Sequence, residues 1–167
     1  MIQLTPFTEK DFERFISWVD NKELLITIAG NYFSYPLTVD QLKAYLDDEK
    51  SYPFNIIDTD ENKTIGHAEI CEMSNEIFKI DKLLIGDKLS RGKRLCQPIM
   101  RALADHAFTQ LHASIVELNV FDWNTAAIKC YDRTGFVINA DKTASFEVGD
   151  KKWTALNMTI EKRIQHN

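Results

Sequence analysis

Residues 116–137 read VELNVFDWNTAAIKCYDRTGFV, and a strand, a turn and a capped helix follow one another within that stretch. SIVELNVF (114–121) is rich in β-branched residues and alternates around Glu117 and Asn119, the pattern of a half-buried strand. Asn124 then stands where a side-chain oxygen can accept from the first N–H groups of a helix. TAAIKCYDRT (125–134) carries that helix, and Gly135 supplies a left-handed cap at its end.

Working upstream, IFKIDKLLIG (77–86) reads as a strand, and LSRGKRLCQPIM (89–100) as a loop feeding a second helix. From Leu95 the apolar residues Leu95, Ile99, Leu103, Ala107 and Leu111 recur every fourth position, which gives an amphipathic helix to about Gln110. Pro98 suits the first turn, where its missing N–H costs little. The passage from Ile77 to Phe121 therefore has the form of a βαβ unit with its loop at the carboxyl end of a strand. Open α/β sheets bind ligands there.

That loop has the physics of an anion site. The first N–H groups of a helix lack internal partners, the macrodipole adds partial positive charge, and Lys88, Arg91, Lys93 and Arg94 add full charges. A phosphate group fits such a place; an ordinary solvated basic helix start is the plainer alternative. Known nucleotide loops are not matched. Gly86 and Gly92 are separated by five residues, Lys93 is followed by Arg94, and no GxGxxG occurs.

The flanks complete a mixed pattern. IQLTPF (2–7) is strand-like, and Thr8 caps a helix carrying Phe12, Phe15, Ile16 and Val19. Thr38 and Gln41 form a capping box ahead of Leu42, Tyr45 and Leu46. YPFNIID (52–58) and TIGHAEIC (64–71) are strands joined by a polar turn, and ASFEV (144–148) and WTALNMTIE (153–161) make a closing hairpin around GDKK. The predicted order is β-α-α-β-β-β-α-β-α-β-β. No repeat or linker divides the 167 residues, so one α/β domain over 1–167 is expected.

Composition narrows the function. Net charge is -5, which speaks against nucleic acid as a partner and makes the basic cluster at 88–94 a local feature suited to a small anion. No run approaches the length of a membrane span, and the charged start MIQLTPFTEKDF lacks the apolar core of a signal peptide. Three cysteines, Cys71, Cys96 and Cys130, without a CxxC pair, suggest a reduced, cytoplasmic protein. The four histidines, His67, His106, His112 and His166, have no metal-ligand spacing, so no metal is expected. No GxSxG or other nucleophile motif is present.

The two central segments together resemble the Gcn5-related N-acetyltransferase (GNAT) family, in the branch of the ribosomal-protein alanine acetyltransferases. Asn124, Ala127 and Tyr131, followed by Gly135-Phe136, match that family's Asn-x-x-Ala-x-x-x-Tyr pattern. Arg91 matches the first position of its pyrophosphate loop, Arg/Gln-x-x-Gly-x-Gly/Ala, and Gly92-Lys93 the common RGK start. IGHAEI and LLIG read like the family's third and fourth strands. The loop departs from the pattern where Arg94 and Cys96 replace two small residues. Arginine there opposes positive φ and brings a Cβ toward the phosphates.

The resemblance implies a central, mixed but largely antiparallel sheet of six or seven strands flanked by about four helices. It implies acetyl transfer from acetyl-CoA, as co-substrate, to a primary amine on a small molecule or a peptide N-terminus. Leu83, Leu84 and Ile85 would pair with the pantetheine arm as an added strand does, and a bulge would leave an N–H for the thioester carbonyl. Arg91, Gly92, Lys93, Arg94, Leu95 and Cys96 would hold the pyrophosphate; Asn119, Asn124, Ala127 and Tyr131 would line the rest of the cofactor site. Tyr131, a phenol protonated at neutral pH, is the favoured general acid, with a core tyrosine as the bland alternative. Asn124 as a helix cap is compatible with its cofactor role. For the base, Glu69 shares a strand face with His67, and Asp81 is the second candidate. A second reading is a non-catalytic relative whose loop Arg94 has disabled. NKELLITIAGNYFSYPLT (21–38) and the last hairpin would shape the acceptor site. Tyr32, Phe33, Tyr35 and Trp153 there serve as lining, core or a homodimer contact.

Overall fold

The computed structural model describes residues 1–163. Seven strands form one sheet in the order β1-β2-β3-β4-β5-β7-β6. They are β1 (Ile2–Pro6), β2 (Ser51–Asp58), β3 (Lys63–Ser74), β4 (Ile77–Ile85), β5 (Ile115–Phe121), β6 (Val137–Val148) and β7 (Lys151–Glu161). Every neighbouring pair is antiparallel except β4 and β5. That parallel pair needs a crossover, which α4 (Cys96–Thr109) supplies. Mixed α/β architecture with a seven-stranded sheet agrees with the sequence reading.

Five α-helices are present among the described residues, where about four were expected. Besides α4 they are α1 (Phe12–Trp18), α2 (Lys22–Ala29), α3 (Val39–Leu46) and α5 (Thr125–Thr134). The N-terminal helix expected after Thr8 begins as a 3-10 turn over Glu9–Asp11, with Thr8 and Asp11 forming a capping box, before α1 proper. Helix α2 lies inside NKELLITIAGNYFSYPLT (21–38), the segment expected to shape the acceptor site, for which the sequence pattern gives no helix. Its apolar run LLITIA shows no single stripe because it buries two faces. Leu25, Ile28 and Ala29 join the N-terminal cluster, while Ile26 packs with Phe121 and Ala155. The cap was legible: Asn21 accepts from the Leu24 N–H at 2.8 Å.

The sheet has a core on each face. One is packed by α4 around Ile99, Met100 and Leu103, with Ile56, Ala68, Ile70 and Val116 from the strands. The other is packed by α1, α2 and α3 around Phe15, Leu25, Leu42 and Tyr45. Strand β6 starts at Val137, earlier than expected, because its first half, VINADK, is largely exposed and carries no alternation.

The cysteine reading requires correction. Cys96 and Cys130 form a disulfide that ties the first residue of α4 to α5, across 34 positions of chain. Only Cys71 is free among the described residues, and burial pushes its thiol up to about 11. The pairing depends on α4 and α5 packing side by side, which no spacing rule in the sequence records.

Candidate active site between two splayed strands

Strands β4 and β5 pair only from Ile77 with Ile115 to Ile80 with Leu118. Beyond that β5 continues against β7, while β4 continues against β3. The two diverge, and between them opens a cavity of about 410 Å³. Its walls include Lys82 and Leu83 from β4, Asn119 and Phe121 from β5, Asn124 and Tyr131 from α5, and Tyr32 from the turn after α2.

A bulge shapes the β4 wall. His67 of β3 sits opposite Leu84 and Glu69 opposite Asp81, so β4 spends one residue more than β3 between those pairings. Lys82 absorbs it with φ 50. The extra residue shifts the alternation: Ile80, Leu83 and Ile85 pack on the α4 face, whereas Leu84 packs on the face of the N-terminal helices. The bulge expected on β4 is thus present. The Lys82 N–H itself donates to Asp81 Oδ1 at 2.9 Å.

The face turned to the N-terminal helices collects charged groups that the sequence pattern had scattered. Lys82 and Glu69 form an ion pair with their side chains 3% and 2% exposed. Asp81 accepts from Lys79 at 3.2 Å and lies 3.8 Å from the Lys82 ammonium. His67 is buried among Phe7, Phe15 and Tyr45, sharing a 3.1 Å hydrogen bond with the Tyr45 hydroxyl. Burial, reinforced by the Lys82 charge, drives the imidazole pKa down to about 3. Asp81 is on the cavity wall; Glu69 lies behind Lys82 and is not. Lys82 was missed, because regular alternation sets it apart from Asp81, and only the bulge brings the two together.

On the opposite wall, Asn124 caps α5 through the Ala127 N–H at 3.4 Å, and the same residue lines the cavity. Tyr131 reaches the same cavity from the next turn but one of that helix, and burial raises its phenol to about 12. Asn119 is exposed on β5 beside them.

The loop from Gly86 to Leu95 is pinned at its base. Asp87 accepts from Lys63 at 2.6 Å and from the Ser90 hydroxyl at 2.6 Å. The Lys63 contact, with that of Ser90, holds the Asp87 carboxyl below its ordinary value. Arg91 Nε donates to the Ile85 carbonyl at 3.0 Å, and Lys93 pairs with Glu61 at 2.5 Å. Gly92 and Arg94 both take left-handed backbone, with φ 80 and φ 58. Arginine therefore does adopt the conformation that glycine would take. It is exposed, with no ion pair or side-chain hydrogen bond to any described residue. The N–H groups of Gly92, Arg94 and Leu95 likewise have no partner among the described residues. Three unpartnered donors just ahead of α4, interrupted by the Lys93 N–H that donates to the Ser90 carbonyl, together with the exposed Arg94 guanidinium, fit a pyrophosphate.

Tyr32 lines the cavity, Phe33 is core, Tyr35 donates to the Asp20 carbonyl at 3.1 Å, and Trp153 packs against Phe121 and Trp123. Among the described residues no group of His, Cys, Asp and Glu is arranged to hold a metal ion; His166 lies outside them.

Residues 2–137 match the family described as the acetyltransferase (GNAT) domain. The chain belongs to the GNAT family. The activity of this GNAT domain is acetyl transfer from acetyl-CoA to an amine. Solved GNAT structures share its fold. A spermidine N-acetyltransferase from Vibrio cholerae, in complex with CoA and spermine, superposes with TM-score 0.81 at 18% identity, over 96% of this chain and 95% of that one. An aminoglycoside acetyltransferase AAC(6')-Ib, in complex with coenzyme A and kanamycin, gives 0.72 at 20% identity, over 97% and 95%. A dodecameric form of the Vibrio cholerae enzyme gives 0.77 at 18% identity, over 96% and 93%.

Proposed function

We propose that this GNAT enzyme acetylates a primary amine, on a small molecule or at a peptide N-terminus, by direct transfer within the wedge between β4 and β5. The observation that carries the reading is the splay itself, which brings the open edge of β4 and the side chains of Asn124 and Tyr131 to one cavity. The peptide alternative follows from the resemblance to ribosomal-protein alanine acetyltransferases.

Bound acetyl-CoA supplies the acetyl thioester. The backbone of Leu83, Leu84 and Ile85 holds the extended arm by strand-like hydrogen bonds. Residues Arg91 to Cys96 hold the pyrophosphate, with the free N–H groups and Arg94 as donors. Asn119, Asn124 and Ala127 border the arm on the α5 side. The amine nitrogen attacks the acetyl carbon, a C–N bond forms and the C–S bond breaks. The proton leaving nitrogen goes to a carboxylate. Asp81 is the one on the wall; Glu69, whose carboxylate is engaged by Lys82, acts through that lysine rather than on the amine. Tyr131, held at about 12, stays protonated throughout the physiological range and donates to the sulfur as negative charge develops there.

The test is Tyr131→Phe, measured by thiol release and by calorimetry. Turnover should fall by roughly 10²-fold or more, the usual scale for losing one acid–base group. Acetyl-CoA affinity should stay within about twofold, since Phe keeps the packing. Unchanged turnover removes Tyr131 from the chemistry.

A further inference from the structure

The wedge contains a seat for a cation, and the chain fills that seat itself. The Lys82 ammonium is ion-paired to Glu69. It also lies 3.9 Å from the ring centroid of Tyr32, 5.2 Å from that of Tyr45 and 6.0 Å from that of Phe33. A carboxylate and three rings around one nitrogen is the arrangement by which proteins recognise alkylammonium groups. Here Lys82 and Tyr32 are also part of the cavity wall, so the seat adjoins the space in which an acceptor must lie.

The charges on that wall leave no vacancy for a second cation. Lys79 is paired with Asp81 and Lys82 with Glu69, and Asp81 is the only carboxylate among the lining residues. An acceptor carrying another ammonium group would approach Lys82 with both nearby carboxylates already engaged. At such short range, in a partly desolvated site, like charges repel strongly. The rest of the lining carries no charge: apolar Ile26, Leu83 and Phe121 alternate with neutral polar groups such as Asn31, Asn119 and Asn124.

We propose that Lys82 determines acceptor specificity: its ammonium permanently occupies the cation seat formed by Glu69, Tyr32, Tyr45 and Phe33, so the enzyme accepts primary amines whose remaining chain is uncharged and discriminates against polycations. This rests on the acetyl-transfer reading above only for the turnover part of the test.

The matched pair n-butylamine and 1,4-diaminobutane differs only in the distal ammonium group. With the intact enzyme and acetyl-CoA, kcat/KM for butylamine should exceed that for the diamine by at least roughly tenfold, the scale of one unfavourable charge contact. In Lys82→Met the Glu69 carboxylate is released and the ratio should invert. In the double variant Lys82→Met with Glu69→Gln the preference for either amine should vanish. A wild-type ratio near one, or one favouring the diamine, overturns the proposal. A readout independent of turnover separates the two claims. Millimolar methylammonium chloride should raise the melting temperature of Lys82→Met saturably, while leaving the wild type and the double variant at the level of a sodium chloride control. If neither amine is acetylated but that shift is seen, the cation seat stands and the acceptor reading fails. If amines are acetylated but no shift occurs, the seat is refuted. Should Lys82→Met fold only in methylammonium, the seat is supported; a chain that stays unfolded in it counts against the seat.

Discussion

Reduction of the Cys96–Cys130 bond should cost this protein much of its stability while leaving every side chain in place. The bond closes a loop spanning 34 positions of chain. In the chain-entropy picture, cross-linking removes about 2.1 + 1.5R ln 34, or about 12.6 cal/mol/K, from the unfolded ensemble, which is about 3.8 kcal/mol at 25 °C. With an m-value of about 2 kcal/mol/M, reasonable for a chain of this size, the urea midpoint should fall by roughly 2 M on adding reductant. The assay is paired urea unfolding, with and without reductant, followed by tryptophan fluorescence. Thiols should be counted in the unfolded state. The unreduced protein should show one, from Cys71, and the reduced protein three. Three thiols in both samples with coincident midpoints would refute the bond. A single thiol with a midpoint shift under about 0.5 M would instead refute the entropy argument. Because the link joins the start of α4 to the helix carrying Asn124 and Tyr131, reduction should also weaken acetyl-CoA binding before the protein unfolds.

Other outcomes follow from single residues. Arg94→Gly should weaken acetyl-CoA binding by about tenfold or more, the loss of one charge-assisted contact; calorimetry showing equal or tighter binding would mean that Arg94 hinders the loop. His67 has its folded pKa depressed from the ordinary 6.5 to about 3, so its contribution is complete above pH 6.5 and fades as pH falls toward 3. At pH 5 the protein should be about 2 kcal/mol less stable than at pH 7.5 on this account, and His67→Gln should flatten that slope in urea titrations. Gly86→Ala should destabilise by about 1–3 kcal/mol, because a Cβ there would lie 1.9 Å from the Trp18 ring; a melting temperature equal to wild type would show that Trp18 moves aside freely.

Capped, amphipathic elements could be read from the chain alone. Helices α4 and α5 lay where the four-residue stripe and the Asn124 and Gly135 caps put them, and the frame Asn124, Ala127, Tyr131 carried the family. Helix α2 was hidden because burial on two sides erases the stripe that marks a helix. The first half of β6 was hidden for the opposite reason, having no buried face at all. The acceptor side of the site was the least legible. A strand written IFKIDKLLI alternates regularly on paper, and nothing in those letters announces that Lys82 takes positive φ. From there the pairing with Glu69, the distance of Glu69 from the wall and the ring cage all follow, and each depends on contacts between residues remote in sequence.

The divergence of β4 from β5 also bears on how the molecule keeps to itself. Unpaired strand edges invite pairing with other chains and are a common start of aggregation. Here two such edges lie in the middle of the sheet, covered by the turn after α2 and by residues of the last hairpin such as Phe146 and Ala155. Placed there, both edges face the cavity instead of an outer rim of the sheet. The fold thus keeps this open backbone in its interior, a protection that other proteins give to exposed edges by charged or proline-blocked rims.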